Sequence, residues 1–445
     1  MLTKDDNAIL NEVAAGTLMG NLIRRYWMPA LLSDELPTPD CTPIEVRLLG
    51  EDLVAFRDTE GRVGLVDACC PHRGSGMFYG RNEESGLRCV YHGWKFDVTG
   101  QCVDMPSEPP TSNFKDKLRI PSYPTYESGG IVWTYMGPKD KQPGFRDFGT
   151  EKLPREKWAA RKSFQPMTWM QWMEGLMDTT HNSWLHHWKG RADLEDDGSD
   201  APGVYNSQLS MEKFWGYDQA PDIRVHEDWH GFRAVGLRKT PNGHTHARLY
   251  AFTFPFRCGP GGRSFIVPRD DNSCYDYHFA TVHDDMWSAL VKDGGLFGVG
   301  PRQSRPPIPG FPYEQGDGNQ RTLANKYLID RDLQKDGTVF AGIPHVNSQD
   351  RMARQTSYTD RTKEHLGSLD RKIILVRRML INAAKNLAKG IEPPALDPNL
   401  PYDKIGSPSK VLTPGEDWTV LGSERDPVFQ RAAAEAVAAA PQVAS

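Results

Sequence analysis

CCPHRGSGMFYGRNEESGLRCVYHGWKFD, residues 69–97, holds two Cys–His pairs. Cys70 and His72 stand two apart, Cys89 and His92 three apart, and sixteen residues separate the pairs. Two thiolates and two imidazoles at this spacing fit either a Cys2His2 zinc site or an iron–sulfur cluster. A zinc finger usually groups Cys with Cys and places its His pair on a helix. Here each pair mixes the two residue types, and each sits in a Gly-rich loop. Facing loops that each supply one thiolate and one imidazole suit a binuclear cluster, with both Cys on one iron and both His on the other. Short apolar runs lie around them: IEVRLLG, DLVAFRD, RVGLVDA and GIVWTYM, punctuated by Gly, Pro and Asp. That texture predicts a small antiparallel β domain over residues 28–140.

A second concentration of ligand-type side chains lies at LMDTTHNSWLHHWKG, residues 176–190. It places Asp178, His181, His186 and His187 within ten residues of a chain that has thirteen His in all. The flanking Trp and Met predict a buried helix. On an ideal helix Asp178 and His181 share a face. His181 and His186 are five apart, roughly 140° around the helix. Both can reach one metal only if the helix ends or bulges between them, and Asn182 and Ser183 are the expected weak points.

The rest of the chain frames these two regions. The lead, residues 1–27, reads as helical, interrupted by Gly16 and Gly20. After the polar link GPKDKQPGFRDFG, residues 141–425 form a larger unit. Its long strands are expected at HGFRAVGLRKT, HTHARLYAFTFPF and CYDYHFATVH. A Gly/Pro-dense loop spans about 292–320. DRKIILVRRMLINAAKNLAKG reads as an amphipathic helix stopped by Gly390. The Ala-rich tail, residues 426–445, offers little to bury.

Composition narrows the function classes. The net charge is −5, which gives no footprint for nucleic acid or an anionic membrane. No apolar run approaches the roughly 18 residues that span a bilayer. The polar, acidic start MLTKDDNAILNEV is neither a secretory signal nor a transit peptide. Seven Cys, a sparse and odd number, argue against a disulfide framework and for a reducing compartment, the cytoplasm by default. Cys41, Cys69, Cys102, Cys258 and Cys274 are expected to be buried thiols.

C-x-H-x16-C-x2-H, set in CPHRG and YHGWKFD, resembles the Rieske domain of ring-hydroxylating oxygenases. It does not resemble the respiratory Rieske proteins, whose loops carry an extra disulfide. Asp178, His181 and His186 fit that family's D-x2-H-x4-H without a gap, so the resemblance extends over essentially the whole chain. QCVDMP after the Rieske motif and DRTKEHLG near residue 360 are similar to the phthalate dioxygenase-like α subunits. The resemblance implies an α+β fold: a small antiparallel Rieske domain, then a catalytic domain whose broad antiparallel sheet is covered by helices (helix-grip, START-like).

It also implies roles. Cys70, His72, Cys89 and His92 would hold a Rieske 2Fe-2S cluster. His181 and His186 would bind a mononuclear non-haem Fe(II), with His187 the competitor for His186. The third ligand would come from HVNSQDRMARQTSYTDRTKEH, where Asp350 follows the family's Q-D pattern and Asp360 is the alternative. Two His and one carboxylate leave positions open for dioxygen beside a substrate. Asp178 would bridge His181 to His92 of a neighbouring subunit, fixing both imidazoles, and this requires a homotrimer or a stacked hexamer.

The implied activity is hydroxylation of an aromatic substrate with O2, most simply an aromatic carboxylate. O-demethylation of a methoxylated aromatic acid is the runner-up, and a pure Rieske electron carrier or a zinc protein are rivals from other classes. No G-x-G-x-x-G opens a βαβ unit, so NAD(P)H can act only through a flavin or iron–sulfur reductase. A buried carboxylate calls for Arg. Of Arg233, Arg238, Arg248 and Arg257 on the predicted strands, Arg248 and then Arg238 are the candidates for binding it. His244 and His246 depart from the phthalate pattern.

Overall fold

The computed structural model describes residues 2–149, 158–189, 200–204, 212–259, 264–281, 321–343, 346–423 and 425–426. The loop expected over 292–320 and the tail after residue 426 lie outside them.

Two short helices open the chain, α1 (Lys4–Asn11) and α2 (Leu18–Ile23). Gly16 takes a positive φ between them, whereas Gly20 lies inside α2 rather than interrupting it. Eleven strands follow: β1 (Met28–Leu32), β2 (Ile44–Leu48), β3 (Glu51–Arg57), β4 (Val63–Asp67), β5 (Arg81–Glu83), β6 (Gly86–Arg88), β7 (Lys95–Phe96), β8 (Cys102–Asp104), β9 (Ser122–Tyr123), β10 (Thr125–Ser128) and β11 (Ile131–Thr134). They form three antiparallel sheets: β2-β3-β4-β9, β5-β6-β7-β8 and β1-β11-β10. The unbroken apolar run Leu53–Phe56 in β3 is explained by burial on both faces. Leu53 and Ala55 join the main core, while Val54 and Phe56 join a separate core with Cys70, Cys89 and Trp94.

The second half is one eight-stranded antiparallel sheet. Its strands are β12 (Trp158–Gln165), β13 (Asp222–Asp228), β14 (Gly231–Lys239), β15 (Thr245–Thr253), β16 (Arg257–Cys258), β17 (Ser264–Asp270), β18 (Ser273–Thr281) and β19 (Ser409–Leu412). The order is β12-β18-β17-β16-β15-β14-β13, with β19 on β15. Helices α3 (Trp169–Met177), α4 (Glu212–Tyr217), α5 (Arg331–Lys335), α6 (Val346–Gln355) and α7 (Arg371–Leu387) complete it. The fold is α+β, as expected. The sequence reading missed α4, which lies in a region read as continuous β texture.

Alternation along β15 sets the two faces of the sheet. Ala247 and Leu249 pack with Val235, Trp418 and Leu421 on one side. His246, Arg248 and Tyr250 share the other face, where α4 covers them: Phe214 stacks on His246 and Trp215 lies under Arg248. The lead docks on the larger unit, since α1 and α2 both pack on α7, and Trp169 Nε1 donates to the Leu10 carbonyl at 2.8 Å.

Candidate metal centres

The two loops of the first centre are built alike. The Cys70 amide donates to Ser75 O and the Gly74 amide to Cys70 O. The Cys89 amide donates to Trp94 O and the Gly93 amide to Cys89 O. Gly74 and Gly93 have φ of +74° and +79°, a conformation that a residue with a Cβ rarely adopts. The thiols of Cys70 and Cys89 face each other inside the smaller core, each 2% exposed. At the opposite end the rings of His72 and His92 lie 4.4 Å apart, and His72 stacks on Trp94 at 4.2 Å. Burial, with Cys89 alongside, pushes the Cys70 thiol up to about 11. Only bound cations would keep such a pair as thiolates.

Among the described residues, the one group of three or more His, Cys, Asp or Glu whose donors converge within 4.8 Å lies elsewhere. A single tetrahedral zinc would draw these four donors together. The observed thiol pair and separate imidazole pair fit two metal ions instead. The pattern places Cys69 wrongly: it is exposed, and Cys41 is half-buried, while Cys102, Cys258 and Cys274 are buried as expected. As the chain turns at the Cys69–Gly76 bridge, Cys70 points into the core and its neighbour points out.

The converging group is His181, His186 and Asp350. It starts from α3, whose capping box is explicit: Thr168 Oγ1 accepts from the Gln171 amide, and Gln171 Oε1 accepts from the Thr168 amide. The helix ends at Met177, earlier than the sequence suggested. Asp178 is the extended C-cap residue, so Asp178 and His181 do not share a helix face. Instead the Asp178 carboxylate accepts from the amides of Thr180 and His181, at 3.0 and 3.2 Å, and starts a tight turn over His181–Ser183. This break brings the His181 and His186 rings to 5.0 Å.

Hydrogen bonds fix both tautomers. Gln349 donates its amide to Ile343 O at 2.6 Å, leaving Oε1 to accept from His186 Nδ1 at 2.6 Å. His181 Nδ1 faces Asp178 Oδ2 at 3.2 Å. Both Nε2 lone pairs therefore point at Asp350 Oδ1, from 3.4 and 3.6 Å. Burial, against the pull of Asp350, lowers His186 to about 4, so it is neutral at pH 7. Burial pushes Asp350 up, but Arg354, His186 and His181 together outweigh it and hold the carboxyl below its usual range. Two imidazole nitrogens and a carboxylate oxygen facing one point suit a cation between them. The donor set suits an N,N,O-bound divalent metal with open positions.

Residues 26–124 match the Rieske [2Fe-2S] domain family, and residues 134–439 match the LigXa C-terminal domain-like family. The chain belongs to the Rieske oxygenases. It is 35% identical over 404 residues to the phthalate 4,5-dioxygenase oxygenase subunit of Pseudomonas putida, covering 86% of each chain. It is also 35% identical to the 3-chlorobenzoate-3,4-dioxygenase oxygenase subunit of Comamonas testosteroni, over 95% of this chain and 98% of that one. The 5,5'-dehydrodivanillate O-demethylase oxygenase subunit of a Sphingobium species is 31% identical over 89% of this chain and 84% of its own. Among solved structures, dicamba monooxygenase bound to dicamba superposes with a TM-score of 0.52 at 16% identity, over 83% of this chain and all of that one, a likeness of fold. The chain is an oxidoreductase of the phthalate dioxygenase-like branch, an oxygenase subunit with a Rieske cluster and a mononuclear iron centre. Among the described residues no helix is long and apolar enough to cross a membrane.

In this Rieske oxygenase Asp360 caps the turn Arg361–Lys363 by accepting from the Thr362 amide, and lies apart from the converging group. His187 packs edge-on against Phe340. Of the four arginines, Arg233 donates to Thr419 O, Leu421 O and Asp228, and Arg257 to Tyr402 O and Ile405 O. Arg238 donates to Thr179 Oγ1, Thr179 O and Asp218 O, bracing the loop that carries the His residues. Arg248 donates to Asn182 Oδ1 at 3.0 Å, and its buried Nε has no hydrogen-bond partner.

Sequence reasoning missed the supports: Gln349, Arg354, Lys372, Asn182 and two glycines. Gln349 precedes Asp350 directly, so the Q-D pair itself was the available signal. A Cβ on Gly236 would lie 2.7 Å from Thr179, and one on Gly175 would lie 1.8 Å from Arg354 Nε. Gly175 thus lets Arg354 lie against α3, stack on Trp172 at 4.3 Å and donate to Asp350 at 3.0 Å. Gly175→Ala is expected to displace Arg354, cost about 1–3 kcal/mol of stability and loosen the bound iron. Denaturant unfolding and metal analysis check it, and wild-type values of both would mean Arg354 is free to move.

Proposed function

We propose that this chain is a terminal oxygenase acting on an aromatic carboxylate, with the carboxylate paired to Arg248. On this reading residues 1–27 are a lead, 28–140 the Rieske domain and 141–425 the catalytic domain. Cys70, Cys89, His72 and His92 hold the 2Fe-2S cluster, and His181, His186 and Asp350 hold Fe(II). The bound metals supply electron delivery and dioxygen activation. The protein orients both imidazoles through Asp178 and Gln349 and anchors the substrate through Arg248. The observation that carries the substrate class is Arg248 itself: it is buried, held beside the His181 loop by Asn182, and has a donor to spare.

Electrons come from NAD(P)H by way of a flavin and iron–sulfur reductase, since the chain has no dinucleotide fingerprint of its own. The relatives act on phthalate and 3-chlorobenzoate by name, which supports an aromatic acid. O-demethylation of a methoxylated aromatic acid is the second reading, favoured by the demethylase relative. The exposed edge of the Rieske domain, with His72, Tyr79, Val90 and Tyr91, suits docking by another copy. The working unit is then a homotrimer or a stacked hexamer in which Asp178 bridges His181 to His92 of the next subunit. Unpaired thiols fit the reducing cytoplasm.

Turnover of a panel of aromatic acids with a general reductase and labelled dioxygen tests the reading. Arg248→Ala is expected to raise KM for the carboxylate substrate far more than for its uncharged analogue. Loss of one charged partner of a buried carboxylate costs on the order of 3–5 kcal/mol. Equal effects on acid and analogue would make Arg248 a structural residue.

A further inference from the structure

His246 is fully buried, yet neither ring nitrogen has a hydrogen-bond partner. Buried polar side chains are normally satisfied, so an orphan pair of ring nitrogens in the interior calls for an explanation. The ring stacks flat on Phe214, centroids 3.9 Å apart and planes 4° apart, so its orientation is held while neither nitrogen is engaged. It lies two residues before Arg248 on the same face of β15, about 7 Å along the strand. That face looks toward the His181 loop, because Arg248 bonds Asn182 and Arg238, paired with His246 across β14 and β15, bonds Thr179.

We propose that His246 is a substrate-recognition residue, hydrogen-bonding an uncharged ring oxygen, hydroxyl or ether, of an aromatic acid whose single carboxylate pairs with Arg248. This rests on the aromatic-acid reading above and narrows it. Burial and the neighbouring Arg238 and Arg248 keep the imidazole neutral. A neutral ring offers one donor and one acceptor, which match a hydroxyl or an ether oxygen but cannot balance a second carboxylate. Arg238 is held by three bonds, from Nε, NH1 and NH2 to Thr179 and Asp218, which commit it to bracing the His181 loop. A site built on His246 and Arg248 therefore suits hydroxy- or methoxybenzoates over benzene dicarboxylates.

Calorimetric binding to the intact oxygenase, without turnover, tests this. The probes are benzoate, its ortho, meta and para hydroxy and methoxy derivatives, the benzene dicarboxylates, and the methyl esters of each. The wild type is expected to bind one hydroxy- or methoxybenzoate about tenfold tighter than benzoate, and no dicarboxylate tighter than benzoate. His246→Phe, which keeps the stack, should erase that preference with benzoate affinity unchanged, and His246→Gln should restore part of it. Equal loss for benzoate and its oxygenated derivative in His246→Phe would overturn the proposal. So would an unchanged preference, the result expected if His246 merely binds a structural water. If His246→Phe does not fold, the wild-type panel still decides: no preference for a ring oxygen, or a preference for a dicarboxylate, overturns it. Esters separate the two readings. Esters that bind as well as acids refute the role of Arg248, while a ring-oxygen preference that persists among the esters keeps the role of His246.

Discussion

His181→Ala or Asp350→Ala is expected to lower iron from about three to about two per chain and to abolish product formation, with the visible spectrum of the cluster unchanged. The reason lies in the architecture. The Cys70–Cys89 end of the proposed cluster site is set in the smaller core with Trp94 and Phe96. The His181 loop hangs from α3, whose Trp169, Met173 and Met177 belong to the main core. Emptying one site leaves the packing of the other untouched. Of the three converging donors, Asp350 is the only carboxylate, so its loss removes the charge as well as a ligand. Metal analysis and absorption spectra check the outcome. A lost cluster spectrum would show that the two centres are not independent, and full iron occupancy in Asp350→Ala would pass the role to Asp360.

Asp178→Asn should keep both metal centres and the proposed oligomer but slow electron transfer between them, about 10–100-fold. Burial pushes the Asp178 carboxyl up, but the contact with His181 and then Lys372 outweigh it, so it is ionised throughout the working pH range. As a carboxylate it accepts from the Thr180 and His181 amides and faces His181 Nδ1. It also receives Lys372, whose side chain is 1% exposed, at 3.4 Å. The amide variant can still accept for the turn, which preserves the fold. It cannot balance Lys372, and it turns a donor toward either His181 Nδ1 or a partner imidazole. Rapid-mixing oxidation of a pre-reduced cluster, with substrate and oxygen present, measures the effect. A wild-type rate, or an active monomer by light scattering, would remove the bridge.

The parts of this fold that were legible in the sequence are those with local signatures. The Cys70–His72 and Cys89–His92 pairs, the long strands β14 and β15, and α7 with Gly390 after it all announce themselves through spacing or periodicity. The break beside the metal-ligand candidates was expected, but at Asn182 and Ser183. The structure puts it at Asp178, because that side chain caps the following turn, a competition that helical periodicity does not register. Gly175 and the stacking of Arg354 on Trp172 were not legible, since both contacts join α3 to α6, which are distant in sequence. The short helix α4 was hidden for a related reason: its Phe214 and Trp215 gain their meaning only from the His246 and Arg248 side chains they cover.

The central claim is that this protein couples a Rieske cluster to an oxygen-activating iron centre. A single turnover tests it most directly: pre-reduced protein, an aromatic acid that it binds, labelled dioxygen and no reductase. The prediction is that the cluster re-oxidises only when substrate is present and that label appears in the organic product in step with the re-oxidation. Re-oxidation that ignores substrate and leaves every organic molecule unlabelled would contradict the account and make the chain an electron carrier.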